Sequence, residues 1–141
     1  MISIKANVKG AIELAGERDY PNETCGFVLG HIDKDDHRLG DSILEVTNSR
    51  EEAEAYHRFV ITPEDFLRAE RKAASDGKDI VGIYHSHPDH PAEPSQYDLD
   101  HGLPFYSYII VSVTGGKADK TTSWRLENDR SRFIEEELTQ D

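Results

Sequence analysis

One cysteine in the whole chain excludes an intramolecular disulfide and suits a reducing compartment. No apolar run approaches the roughly 20 residues of a membrane-spanning helix. Met1 to Asn7 lack the apolar core of a secretory signal, so a cytoplasmic location without a membrane partner is the default expectation. Positive charge is scarce: 16 Lys and Arg face 28 Asp and Glu, a net charge of −12. Such a chain is repelled by phosphate backbones and anionic lipid surfaces, and no basic patch with interleaved aromatics offsets this, so nucleic acid is excluded as a partner. The acidic residues are scattered, which reads as a solubilising surface, as in a high-salt cytoplasm; steering of a basic protein partner is the other reading. There is no C-x-x-C, so the zinc site of a base deaminase is missing. There is no H-E-x-x-H, which excludes a thermolysin-like protease. Gly115-Gly116 is followed by no helix bearing Lys-Ser/Thr, so it reads as a hairpin turn and not as a phosphate loop.

What is present is His85-Ser86-His87-Pro88, then Ser95, then Asp98. Two imidazoles, a carboxylate and a hydroxyl are what a hydrolytic zinc centre needs: three protein ligands and an open fourth position. Lys78 to Tyr84 reads as a buried strand running into the motif. Residues i and i+2 of a strand share a face, so His85 and His87 project together. Pro88 stops the strand, and Pro91 and Pro94 continue the loop. Ser95 suits a helix N-cap with Asp98 in the first turn, which swings both back towards the histidines. Taken alone, H-x-H is a weak signal and Ser-x-x-Asp is usually a plain cap. The joint pattern H-x-H-P-x6-S-x-x-D arises by chance about once in ten thousand chains of this length, or less often.

This pattern resembles that of the JAMM metalloproteases, the catalytic MPN domains. In that family a glutamate lies upstream, just before a strand, and Tyr20 to Gly30 fits that place. Pro21, Glu23, Cys25, Gly26 and Gly30 match the P-x-E-x-C-G-x-x-x-G segment of the compact bacterial members. The resemblance covers nearly the whole chain and implies one α/β domain over residues 1–141, a mixed β-sheet flanked by helices with a cytidine-deaminase-like layout. It implies that His85, His87 and Asp98 hold zinc, that Glu23 is the general base, and that Ser95 steadies the oxyanion. It further implies cleavage at the Gly-Gly tail of a ubiquitin-like protein, in the bacterial branch a sulfur carrier. A noncatalytic MPN interaction module is the alternative, although such modules usually lack ligands that are all present here. Read without the family, Glu23 is a solvated loop carboxylate.

The remaining chain supplies the frame. Ile4, Val8, Ala11, Ile12 and Ala15 predict a first helix over 3–18. Strands are predicted over Cys25–Ile32, 37–47 and 56–61, with a solvated loop or short helical turn over the acidic residues 48–54. Thr62 caps a helix that begins at Pro63, runs to about Ser75 and ends at Gly77. A strand over 79–85, a short helix over 95–101, and strands over 105–113 and 120–127 follow; 131–138 reads as a final strand or a short helix, with Phe133 favouring strand. His90 and His101 read as surface or rim, and His31, His37 and His57 show no metal spacing. Asp89, Glu93 and Asp100 read as solvated loop carboxylates, with Asp89 the first candidate among them to stand behind the ligands. Cys25 reads as a small core hydrophobe, and Tyr84 and Trp124 as core aromatics.

Overall fold

Strand order follows from where the apolar runs lie. The computed structural model describes residues 1–47 and 59–141. The elements are β1 (Ile2–Ile4), α1 (Ala6–Asp19), β2 (Cys25–Ile32), β3 (Arg38–Val46), α2 (Pro63–Ser75), β4 (Asp79–Pro88), α3 (Gln96–His101), β5 (Ser107–Thr114), β6 (Lys117–Leu126), β7 (Phe133–Glu136) and β8 (Leu138–Gln140). The strands form one mixed sheet in the order β7-β6-β5-β4-β2-β3-β1-β8. The most apolar strands, β2, β4 and β5, lie at its centre and are buried on both faces.

Each face has its own core. Val8 and Ile12 of α1 pack with Ile2, Ile4, Val28, Val81, Tyr84, Ile109, Val111 and Val113. On the other face Ala69 and Ala73 of α2 pack with Phe27, Leu29, Val46, Ile80, Ile83 and Tyr108. The α2 start is the expected one: Thr62 Oγ1 accepts from Asp65 N at 3.1 Å, Thr62 N donates to Asp65 Oδ2 at 2.9 Å, and Pro63 occupies the first turn. Gly77, at φ +68°, ends it in the left-handed conformation that glycine tolerates.

Three expectations are corrected. The first helix starts at Ala6, because Lys5 is extended (φ −66°, ψ 150°) and Ile2 and Ile4 alternate into a strand. That strand pairs with β3 and β8, both distant in sequence. The strand expected over 56–61 falls partly outside the described residues, and Phe59 to Ile61 form none. The final strand is two strands broken at Glu137, which pair at opposite ends of the sheet order, so the sheet curls until its edges meet there. The Glu137 carbonyl accepts from Ile2 N at 3.0 Å at this seam. The acidic stretch 48–54 lies outside the described residues. Among the described residues, no helix is long and apolar enough to cross a membrane.

Candidate metal centre

Register brings the site together. β2 and β4 are antiparallel, with Cys25 opposite His85. Two residues outward on each chain stand Glu23 and His87, so alternation places Glu23, His85 and His87 on one face. β4 runs on through both histidines to Pro88 and pairs in parallel with β5 on its other side. That parallel pairing demands a crossover. The crossover contains α3, whose N-cap Ser95 and third residue Asp98 return to the histidines. His85, His87 and Asp98 are buried, Glu23 is half-buried and Ser95 is exposed.

Nε2 of His85 and Nε2 of His87 are 3.0 Å apart, and Asp98 Oδ2 lies 3.2 Å from each. Three donors at about 2.0–2.1 Å from a tetrahedral ion would be separated by roughly 3.3 Å. The triangle therefore fits a small divalent metal, and two nitrogens with one carboxylate oxygen are a fitting donor set. A Glu23 carboxylate oxygen and the donor nitrogens of His85 and His87 all lie within 4.8 Å of one another.

Neighbouring groups orient these donors. His87 Nδ1 donates to the Pro91 carbonyl at 2.8 Å, which leaves its Nε2 lone pair for the site. The Phe59 ring stacks on His85 with centroids 4.5 Å apart at 26°, and His85 Nδ1 is buried without a hydrogen-bond partner among the described residues. Asp98 Oδ2 also accepts from Ser95 N at 2.9 Å, while Ser95 Oγ accepts from Asp98 N at 3.1 Å. One capping box thus starts the helix and aims the carboxylate. Burial works against the Asp98 charge, yet the facing histidines and Ser95 N–H hold its carboxyl well below the usual range. Burial lowers the His85 pKa against the pull of Asp98. In His87 burial is outweighed by its bonds to Asp98 and Pro91, which raise it.

A cleft of about 610 Å³ opens over these groups, lined among others by Pro21, Glu23, His87, Glu93, Ser95 and Asp98. All five residues named from the sequence thus meet around the donor triangle or its cleft. His90 and His101 are exposed and outside the triangle; His101 Nδ1 donates to the Tyr97 carbonyl one turn back. His31 and His37 are exposed too, and His57 lies outside the described residues. Cys25 is buried, and burial pushes its thiol up to about 12, so it is no nucleophile. Tyr84 is fully buried, whereas Trp124 is half-buried with Nε1 donating to Thr122 Oγ1. Asp89 is exposed, as read, and its carboxylate bonds Tyr20 and Gly115 in place of the ligands. Sequence reasoning also missed Phe59, hidden by the strand expected there. It missed Ser86, whose only signal was a polar residue on the opposite strand face from the histidines.

Fold and donor set together define a JAMM-type metallopeptidase domain. Residues 5–127 match the prokaryotic homologs of the JAB domain, and the chain belongs to that family. It is similar to a desampylase of Haloferax volcanii, 34% identical over 98 residues that cover 69% of this chain and 67% of that one. It is also similar to the CysO-cysteine peptidase of Mycobacterium tuberculosis, 27% identical over 128 residues, 89% of this chain and 83% of that one. A solution structure of a Salinibacter ruber protein matches with a TM-score of 0.77 at 37% identity, covering 99% of this chain and 91% of that one.

Proposed function

We propose that this chain, as a single cytoplasmic domain, is a zinc peptidase that cleaves the amide or isopeptide bond after the C-terminal Gly-Gly of a ubiquitin-like protein, a sulfur carrier of the bacterial type. The observation that carries the reading is the buried triangle of His85, His87 and Asp98 with Glu23 beside it in an open cleft. The names of the relatives support the substrate class: one acts in desampylation and one on CysO-cysteine.

The two histidines and Asp98 would hold the ion. When bound, zinc supplies Lewis acidity and brings the pKa of water from 15.7 to about 7. Glu23, half-buried and open to the cleft, takes the proton of the attacking water and passes it to the leaving amine. The Ser95 hydroxyl accepts from Asp98 N, so its own proton is free to be donated into the cleft. There it meets the carbonyl oxygen as negative charge develops. β4 has β2 on one side and β5 on the other, so a tail enters through the cleft and does not add to the histidine strand.

The test is an intact-mass assay. Small ubiquitin-like carriers, each extended beyond Gly-Gly, are incubated with the zinc-loaded protein and with Glu23→Ala. Cleavage after Gly-Gly by the wild type alone is the expected result. Zinc-loaded protein that leaves every carrier intact would favour a binding module.

A further inference from the structure

Glu23 is suspended between two bridges, and both end on the segment that carries the histidines. Immediately after it, Thr24 N donates to Ser86 Oγ at 2.8 Å and Ser86 N donates to the Thr24 carbonyl at 3.1 Å. Three residues before it, the Tyr20 hydroxyl donates to Asp89 Oδ2 at 2.5 Å. The other Asp89 oxygen accepts from Gly115 N at 2.8 Å, and Asp89 N donates to the Val113 carbonyl at 2.7 Å. One carboxylate, two residues past His87, therefore ties the end of α1 and the β5–β6 turn to the loop that orients His87 through Pro91. Asp89 is exposed and lines the same cleft, and its two carboxylate oxygens are taken by Tyr20 and Gly115. Its φ of +57° is a backbone conformation that Gly, Asn and Asp adopt most readily.

We propose that Asp89 and Tyr20 are a positioning pair that sets the Glu23 carboxylate against His85 and His87. The inference rests on Glu23 being the general base. With the bridge cut, the Glu23 segment loses its tie to Asp89 and keeps the one at Thr24. A displacement near 1 Å at a reacting group can cost on the order of a hundredfold in rate, so partial loosening is expected to cost about tenfold.

The experiment uses the zinc-loaded full chain. Asp89→Gly suits the backbone and removes both acceptors; Tyr20→Phe removes the donor; Asp89→Asn keeps an acceptor oxygen and the conformation. Asp89→Gly and Tyr20→Phe are each expected to lower kcat about tenfold with KM and zinc content unchanged. The double variant should lose no more than the worse single, and Asp89→Asn should recover most of the rate. In amide exchange, residues 22 and 23 should exchange faster in both single variants while Thr24 and residues 85–87 hold. Additive losses, loss of zinc in step with kcat, or an unchanged kcat would overturn the pairing. A Glu23→Ala variant separates the two levels. If it is as active as the wild type, the base assignment fails; if it is inactive while Asp89→Gly keeps full activity, only the positioning pair fails.

Discussion

Replacing Ser95 with alanine separates two duties of one hydroxyl. Its structural duty is the bond from Asp98 N at 3.1 Å. Loss of an N-cap hydroxyl costs about 1 kcal/mol. In a chain of this length that lowers the melting temperature by roughly 2–4 °C. The reciprocal bond from Ser95 N to Asp98 Oδ2 is backbone and survives, so the carboxylate stays aimed and zinc affinity should change by less than about tenfold. The chemical duty proposed for it is larger: removing one oxyanion donor costs on the order of 10²–10³ in kcat, or about 3–4 kcal/mol. With a total stability of roughly 5–15 kcal/mol, unfolding cannot produce such a rate loss. The assay is single-turnover cleavage of an extended carrier, with zinc content and thermal melting on the same samples. Ser95→Thr keeps the hydroxyl and should keep most of the rate. A Ser95→Ala enzyme within about threefold of wild type would remove Ser95 from the chemistry, and a loss that tracks zinc content would make its role purely structural.

Asp98→Ala removes one corner of the donor triangle, and chelator competition should show zinc affinity falling by more than about a hundredfold; unchanged affinity would pass the ligand role to Glu23. Gly26→Ala would place a methyl 2.5 Å from both Tyr84 Oη and the Leu44 carbonyl inside the sheet. That overpacking should cost about 1–3 kcal/mol in urea denaturation, and a neutral result would show that Tyr84 has room to move. Alkaline pH should destabilise the fold. Burial pushes the Cys25 thiol and the Tyr108 phenol each up to about 12, against roughly 8.5 and 10 when unfolded. The unfolded chain gives up these protons first, so the stability they confer is full below about pH 8.5 and is lost as pH rises towards 12. Urea midpoints should fall over that window, and Cys25→Ala should move the onset towards pH 10; a flat midpoint to pH 11 refutes the reading.

The site was legible because its logic is local. His85 and His87 share a face by strand alternation, and Ser95 with Asp98 is a capping box whatever surrounds it. The β2 limits and the α2 cap were legible for the same reason. What was hidden depends on partners far away in sequence. Ile4 reads as helix until β3 and β8 are known to flank it. Phe59 gives up strand geometry to stack on His85 and to accept the Tyr97 hydroxyl on its carbonyl. Asp89 reads as a companion of the ligands from its place in the chain, yet its carboxylate answers to Tyr20 and Gly115, 69 and 26 positions away.

The seam at Glu137 bears on the order in which the molecule assembles. His85 and Asp98 are 13 positions apart, Thr24 and Ser86 62, and Ser3 and Thr139, whose hydroxyls share a 2.7 Å bond, 136. Loop-closure entropy rises with these separations, so the donor triangle is the cheapest part of the site to form, the base comes next, and the β1–β8 seam is the dearest. Opening should run in reverse. Native-state exchange is expected at Ser3 and Thr139 before it reaches residues 85–87, and exchange in the opposite order would refute this sequence of events. A chain that has lost its seam would then still keep its donor triangle.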